Sequence, residues 1–349
     1  MKVVQIFVLL ITAFGGLIAC NCAGLPRPQP KLDDPQNAGA DIKPRFILES
    51  GLLDHWGKKK NGPHQLHVSA DGKYLLALAH TNTENIQVWD LGTLKKVRGI
   101  RANNGTMHAH CAIAPDSRTA AYIEYFPKSA LVIFDMITGE TQHTIFDDGN
   151  LTSNSPWRCM QFSPDGTRLV LAAKSAIVFW NIGTGKIDKT WPGRTYCLSR
   201  FFDNGARIAS SNGGRIDIWD VVQGKVIKEL PGASNEIGLT PDEKTIVSQG
   251  DNRPIRTWDL PEGNLRHERN EFSGTYQYII TPNNRTAIWP TNIGIIVYDL
   301  INGMKIQELK MNEPYLMGLA ATPDGATLIT SDTEGLIKGW RLNANGLVE

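Results

Sequence analysis

The chain is short of net charge, of cysteine and of long apolar runs, and each shortage removes a class of function. Thirty-six Lys and Arg stand against 35 Asp and Glu, leaving a formal charge of +1, and the basic residues gather only in the short run Lys58-Lys59-Lys60. A nucleic-acid surface needs a broad basic face, whereas a run of three reads as a solvated loop. Of five cysteines, Cys20 and Cys22 lie close to the start. The other three, Cys111, Cys159 and Cys197, are an odd set with unequal offsets from the turns that follow them, so buried free thiols are expected rather than a disulfide. Enzyme signatures are missing as well. The chain has no Gly-x-Ser-x-Gly elbow, no Walker loop, no Cys-x-x-Cys and no EF-hand loop. His267-Glu268-Arg269-Asn270-Glu271 opens like a zinc-protease helix but carries Glu where the second His is required, and it reads as a solvated outer strand.

The one extended apolar stretch, Val3 to Ile18, follows Lys2 and is too short to favour a membrane span. It fits a secretory signal over residues 1–19. The stretch ends in Leu17-Ile18-Ala19-Cys20, which resembles the lipobox of bacterial lipoproteins and implies cleavage before Cys20 and lipidation of that residue. The other reading is an ordinary signal peptide cut near Cys22 or Ala23. Residues 20–44 hold Pro26, Pro28, Pro30, Pro35 and Pro44 without apolar periodicity, and read as an extended tether. Three Asn-x-Ser/Thr sequons, at Asn104, Asn150 and Asn284, matter only where the organism glycosylates them.

What the chain does have is a unit of about forty residues that recurs seven times. Its first landmark is a turn of the Ser-Pro-Asp-Gly kind, at Ser69-Ala70-Asp71-Gly72, Ala114-Pro115-Asp116-Ser117, Ser163-Pro164-Asp165-Gly166, Phe202-Asp203-Asn204-Gly205, Thr240-Pro241-Asp242-Glu243, Thr281-Pro282-Asn283-Asn284 and Thr322-Pro323-Asp324-Gly325. Its second landmark is an aromatic residue followed by a polar one: Trp89-Asp90, Phe134-Asp135, Trp180-Asn181, Trp219-Asp220, Trp258-Asp259, Tyr298-Asp299 and Trp340-Arg341. The aromatics are spaced by 45, 46, 39, 39, 40 and 42 residues.

Between the landmarks, segments such as Tyr74-Leu75-Leu76-Ala77-Leu78 and Ile86-Gln87-Val88-Trp89 read as strands. In the turn, Pro pre-sets φ, Asp or Asn caps the backbone and Gly accepts positive φ, which together close a hairpin. A second hairpin per unit is signalled by Gly139, Gly185, Gly224, Gly263 and Gly303, each four residues beyond the polar partner of the aromatic. Such a small antiparallel sheet cannot bury both faces alone, so the units must pack face to face around an axis, with the large aromatic between adjacent sheets.

Residues 45–349 resemble a WD40-repeat β-propeller, with the Trp-Asp dipeptide intact at Trp89-Asp90, Trp219-Asp220 and Trp258-Asp259 and nearly so at Trp180-Asn181. The resemblance implies an all-β, seven-bladed propeller. The chain departs from the family pattern in lacking the Gly-His dipeptide before each unit and, in most units, the Asp ahead of the third strand. After Trp340-Arg341 too few residues remain for a full fourth strand, so Arg45-Phe46-Ile47-Leu48-Glu49 is expected to complete blade 7 by pairing with its third strand.

Two weaker signals concern chemistry. His64, His67, His108 and His110 lie in or just before the innermost strands of blades 1 and 2, but no carboxylate or thiolate is placed to complete a shell, so neither metal nor cofactor is expected. Trp180-Asn181-Ile182-Gly183-Thr184-Gly185-Lys186, with Trp191 downstream, is faintly similar to the docking motif of quinoprotein propellers; it occurs once and reads as a hairpin turn. The residues entering the innermost strands say more: His64, His108, Trp157, Arg158, Tyr196, Glu236, Tyr276 and Tyr315. In WD40-like propellers such entries ring the channel on the usual partner-binding face, and aromatics and Arg dominate binding energy. Trp157, Arg158, Tyr196, Tyr276, Tyr315 and His108 are the expected partner-binding residues; the alternative for each ring is to be wedged between blades. The reading is a non-enzymatic module that binds a protein or peptide, tethered to a bacterial membrane outside the cytoplasm. The rival is a propeller enzyme resembling the seven-bladed lactonases, with His108, His110, Arg158 and Glu236 in the channel.

Overall fold

Residues that alternate between two turn signals should give four short strands per unit, and the chain builds that arrangement. A computed structural model describes residues 42–349 apart from 53–61, 80, 82–83, 103–109, 125–129, 147–159, 174–175, 193–196, 212–213, 233–235, 250–253, 271–277, 292–293 and 312–314. These described residues belong to the compact unit 35–349. They form seven four-stranded antiparallel sheets arranged in a ring, with no helix among them. In blade 1 the strands are Gln65–Val68, Tyr74–Leu78, Ile86–Asp90 and Lys95–Ile100, innermost to outermost, and blades 2 to 6 repeat the order.

Among the described residues there is no central core. The buried apolar residues fall into seven clusters, each shared by two consecutive blades, and the last of them joins Leu66, Leu75 and Trp89 of blade 1 to Ala320, Ile329 and Ile337 of blade 7. All seven landmark aromatics are buried in these seams, each facing the preceding blade. A blade thus has an apolar face on each side and depends on both neighbours for burial.

In five blades the polar partner of the aromatic, Asp90, Asp135, Asn181, Asp220 or Asp299, caps the next turn. Asp90 Oδ1 accepts from the N–H of Gly92 (2.9 Å) and Thr93 (2.7 Å), and Asp135 and Asp299 repeat the pattern. All five expected turn glycines have positive φ, between 63° and 80°. Just before the aromatic, the ladder between third and fourth strands slips by one residue in blades 1 to 6, and this bulge twists the outer strand. The Ser-Pro-Asp-Gly turns are locked in a similar way. Ser163 Oγ donates to Asp165 (2.5 Å) while accepting from the N–H of Arg168 (2.9 Å), as do Ser69, Thr240 and Thr322 in their own turns.

Outer strands also grip the turn of the next blade. Arg98 donates to the carbonyl of Ile137 (3.3 and 3.1 Å), Lys228 to that of Pro261 (3.1 Å), His267 Nε2 to that of Ile301 (2.7 Å) and Arg269 to that of Gly303 (3.0 Å). In blade 3 the grip is aromatic. Trp191 stacks on Trp219 of blade 4 (centroids 5.4 Å, planes 15° apart), and a Cβ at position 224 would lie 2.7 Å from its Nε1, so only glycine fits there. The hairpin reading of residues 180–186 therefore holds at Gly185, but it missed that Trp191 docks on the following blade. His267 likewise is not simply solvated.

Blade 7 closes as expected. Phe46–Glu49 pairs with Leu336–Gly339 of the third strand, and the Phe46 ring covers Gly339. The other chain end contributes too: Leu342 bridges to Val348, Glu349 N donates to Arg341 O (3.0 Å), and Gln307 of blade 6 exchanges two 3.0 Å bonds with Val348. The fourth position of this sheet is thus filled in tandem by residues 348–349 and 46–49.

One irregularity gives a stability prediction. Trp219 Nε1 donates to Ser210 (2.8 Å) and Trp340 Nε1 to Thr330 (2.9 Å), each acceptor lying two residues beyond the residue opposite the ring. At the equivalent place Trp89 meets Ala77 and Trp180 meets Leu171, and both indole N–H groups are buried without a partner. An orphaned buried donor is costly. Ala77→Ser should therefore raise the unfolding free energy by about 1 kcal/mol in a denaturant titration, whereas Leu171→Ser should not, because it also removes packing. A destabilised Ala77→Ser protein would contradict this account of the Trp89 site.

Candidate functional site

The first strand of each blade starts, and the second strand ends, on one face of the ring, because neighbouring strands run antiparallel. On this face the structure separates the expected residues. Trp157, Arg158, Tyr196, Tyr276 and His108 lie outside the described residues, as do Cys20 and residues 1–19. Tyr315 is described. It directly precedes Leu316–Ala321, and its ring is 62% exposed, so it is not wedged between blades. Its carbonyl accepts from the N–H of Thr333, which ties the entry to the next loop of blade 7 (3.1 Å).

Tyr278, two residues beyond the expected Tyr276, is the wedged case. Gly238 of blade 5 leaves a gap that the Tyr278 ring fills. The phenol donates to the carbonyl of Val247 (2.9 Å), and the ring stacks on Trp289 (5.0 Å). Burial, followed by the negative charge of Glu236, pushes the phenol well above its ordinary pKa. This residue holds blades 5 and 6 together.

The sequence reading missed Gln249. It ends the second strand of blade 5 directly opposite Glu236, so the two side chains share the side that faces blade 6. Gln249 is 2% exposed, and neither its carboxamide oxygen nor its nitrogen has a hydrogen-bond partner. Nothing in its sequence neighbourhood signals this; only the pairing register places the amide in the seam. Buried amides of this kind are normally satisfied by water or by a bound group.

His110 is held in place. Gln65 Oε1 accepts from the N–H of Cys111 (3.3 Å), which orients the carboxamide so that Nε2 donates to His110 Nδ1 (2.9 Å) and leaves the imidazole proton on Nε2. Cys111 itself is a buried free thiol whose pKa burial raises far above the ordinary value, so it is unreactive. Asn284 does not suit glycosylation, because its Oδ1 accepts from Asp242 N (2.7 Å) and Thr286 is fully buried.

On the opposite face the turns pack into a belt, with Gly72 against Pro323, Gly166 against Pro115, Gly205 against Pro164 and Gly325 against Pro282. A cavity of about 90 Å³ between blades 3 and 4, bordered by Pro164, Arg168, Phe179, Phe201 and Val221, has room for a few waters. Among the described residues no group of three His, Cys, Asp or Glu converges as a metal site, and no helix is long and apolar enough to cross a membrane.

Fold and face together define a seven-bladed β-propeller whose repeat is consistent with the WD40-like type. No protein-family model matches the chain, and no curated protein matches it in sequence.

Proposed function

We propose that this protein is a WD40-like interaction module, without catalytic activity, that recognises a protein or peptide partner on the face where the inner strands begin. The observation that carries the reading is Tyr315, a large aromatic left 62% exposed directly before the innermost strand of blade 7, with its carbonyl tied to the N–H of Thr333. A rigid amphipathic ring loses little entropy when a partner covers it. Gln249 supports the same face, since a buried amide without a protein partner can be satisfied only from outside the fold. The depressed aspartates offer no acid or base to the face: Asp71, Asp116, Asp165 and Asp324 cap turns on the opposite side, and Asp135 and Asp299 pair with Arg118 and Arg285. Trp157, Arg158, Tyr196, Tyr276 and His108 complete the surface in this proposal.

Retention of partners from a membrane extract tests the reading. Tyr315→Ala should weaken binding by roughly 1–3 kcal/mol while shifting stability by less than about 0.5 kcal/mol, because the ring is exposed. Lys244→Ala, on the opposite face, should change neither. Loss of binding only in proportion to loss of folded protein would end the proposal for this face.

The proposal extends to location: Cys20 carries the lipid anchor of an extracytoplasmic bacterial lipoprotein, and residues 20–44 form the tether. Several acyl chains on one residue bind membranes far more firmly than the marginal attachment of one. Wild-type protein should sediment with membranes, and Cys20→Ala should become soluble or accumulate unprocessed. Wild-type protein found entirely in the soluble fraction would remove the anchor.

A further inference from the structure

The pocket of about 90 Å³ between blades 3 and 4 lies where the repeat departs twice from its own plan. The second strand opens on a buried threonine in blades 5, 6 and 7, Thr245, Thr286 and Thr327, on the side that faces the next blade. In blade 3 that residue is Arg168, whose longer side chain bonds Asp188 on the outer strand (2.5 Å) and borders the pocket. In blade 4 the turn carries Asp203 where blades 2, 3, 5, 6 and 7 have proline, and the next residue, Asn204, belongs to the rim.

Phe179, Phe201 and Val221 give the pocket apolar walls. The polar groups of the adjoining turn are already engaged: Ser163 Oγ donates to Asp165 (2.5 Å) and accepts from Arg168 N (2.9 Å), and Asp165 accepts from Thr167 N (3.0 Å). The terminal nitrogens of Arg168 have no hydrogen bond among the described residues and remain as donors. Water is poorly held between apolar walls, and an apolar group that displaces it gains affinity. The 90 Å³ correspond to the share of about three water molecules, the bulk of a valine side chain. Charge narrows the occupant further. Ser163 and Thr167 hold Asp165 in its charged form, so an anion would meet that carboxylate, while a cation would meet Arg168. Burying a charge beside one of its own sign is costly. The apolar surface also continues outside the pocket, because Val222, next to Val221, is 83% exposed, more than any other large apolar residue described. Its turn is fixed by bonds from Val221 N to Ala206 O (2.9 Å) and from Gln223 N to Asp220 Oδ1 (2.7 Å).

We propose that this pocket receives an uncharged, valine-sized side chain from an extended segment of a partner protein, with a backbone carbonyl of that segment accepting from Arg168 and a flanking residue covering Val222. A free molecule of so few heavy atoms gains too little to bind firmly, whereas a side chain enters together with the rest of its segment. The site lies on the face opposite Tyr315, so it stands or falls independently of the entry face.

The test uses the full chain with isotope-labelled valine methyl groups and follows Val221 and Val222 by NMR. The probes are N-acetylvaline methylamide, its glycine and phenylalanine counterparts, and N-acetylvaline with a free carboxylate. The valine methylamide should shift both residues saturably. The glycine probe leaves the pocket unfilled, the phenylalanine probe overfills it and the carboxylate brings a charge, so each should bind more weakly by about tenfold or more. Val221→Leu, which fills the pocket, should abolish the response of Val222 without lowering the melting temperature. If that variant misfolds, Arg168→Met removes the donor and should weaken the valine methylamide by about fivefold or more. Absence of a saturable shift, equal affinity for any of the other probes, or binding unchanged by the substitution would overturn the proposal. So would isopropanol binding as tightly as the capped valine, since the pocket would then make no use of a peptide backbone.

Discussion

A chain that begins at residue 52 should melt far below one that begins at residue 42, although the two differ by only ten residues. The removed segment supplies most of the fourth strand of blade 7. Leu48, 5% exposed, leaves the seam between blades 7 and 1, and Phe46 uncovers Gly339. The bonds from Arg45 N to Gly339 O (2.6 Å) and from Ser50 N to Gly335 O (2.9 Å) are lost with the ladder between them. Gln87 Nε2, buried and donating to Ser50 O (2.8 Å), loses its acceptor. With about 2 kcal/mol for Leu48, about 1 for each backbone bond and 1–3 for the orphaned amide, the loss is on the order of 5 kcal/mol. That is comparable to the whole stability of many domains. The bare edge Leu336–Arg341 should also promote aggregation. A synthetic peptide covering residues 42–51 should restore the melting point when added in trans. Equal melting of the two chains would show that the segment does not close the ring.

The second large effect is expected in acid. Seven aspartates, Asp71, Asp90, Asp116, Asp135, Asp165, Asp299 and Asp324, have their pKa held below the ordinary carboxylate range. Asp299 is the most enclosed, at 1% exposure. Burial alone would raise it, but Arg285 at 2.8 Å and the N–H groups of Asn302 and Ile301 outweigh burial. A carboxyl depressed in the folded state contributes stability that is fully present above its unfolded pKa of about 4 and is lost as pH falls through the folded value. The protein should therefore keep a nearly constant melting point from neutral pH down to about 5 and unfold steeply below about 4. Asp299→Ala should cost about 2–3 kcal/mol at neutral pH, since the turn after Tyr298 loses its cap while half-exposed Arg285 returns to solvent. The same variant should show a shallower acid slope than wild type. An unchanged slope would mean that Asp299 is not held in its charged form by this network.

The sequence alone determined the architecture, because a hairpin signal is local. Pro-Asp-Gly and Trp-Asp each act within a few residues, and a unit repeated seven times fixes the number of blades and forces neighbours to share their apolar faces. Closure by Arg45 to Glu49 was legible for the same reason: one sheet was a strand short and one spare apolar segment existed. Tertiary structure decided whatever depends on register between distant segments. Whether an aromatic is exposed, as Tyr315 is, or sealed against a glycine, as Tyr278 is against Gly238, depends on a neighbouring blade some forty residues away. Gln249 is unpartnered because pairing turns it into a seam, and Trp191 docks because Gly224 of the next blade leaves it room. Local chemistry writes the turns and strands, but the exposure of a side chain is settled only by what the rest of the ring places against it.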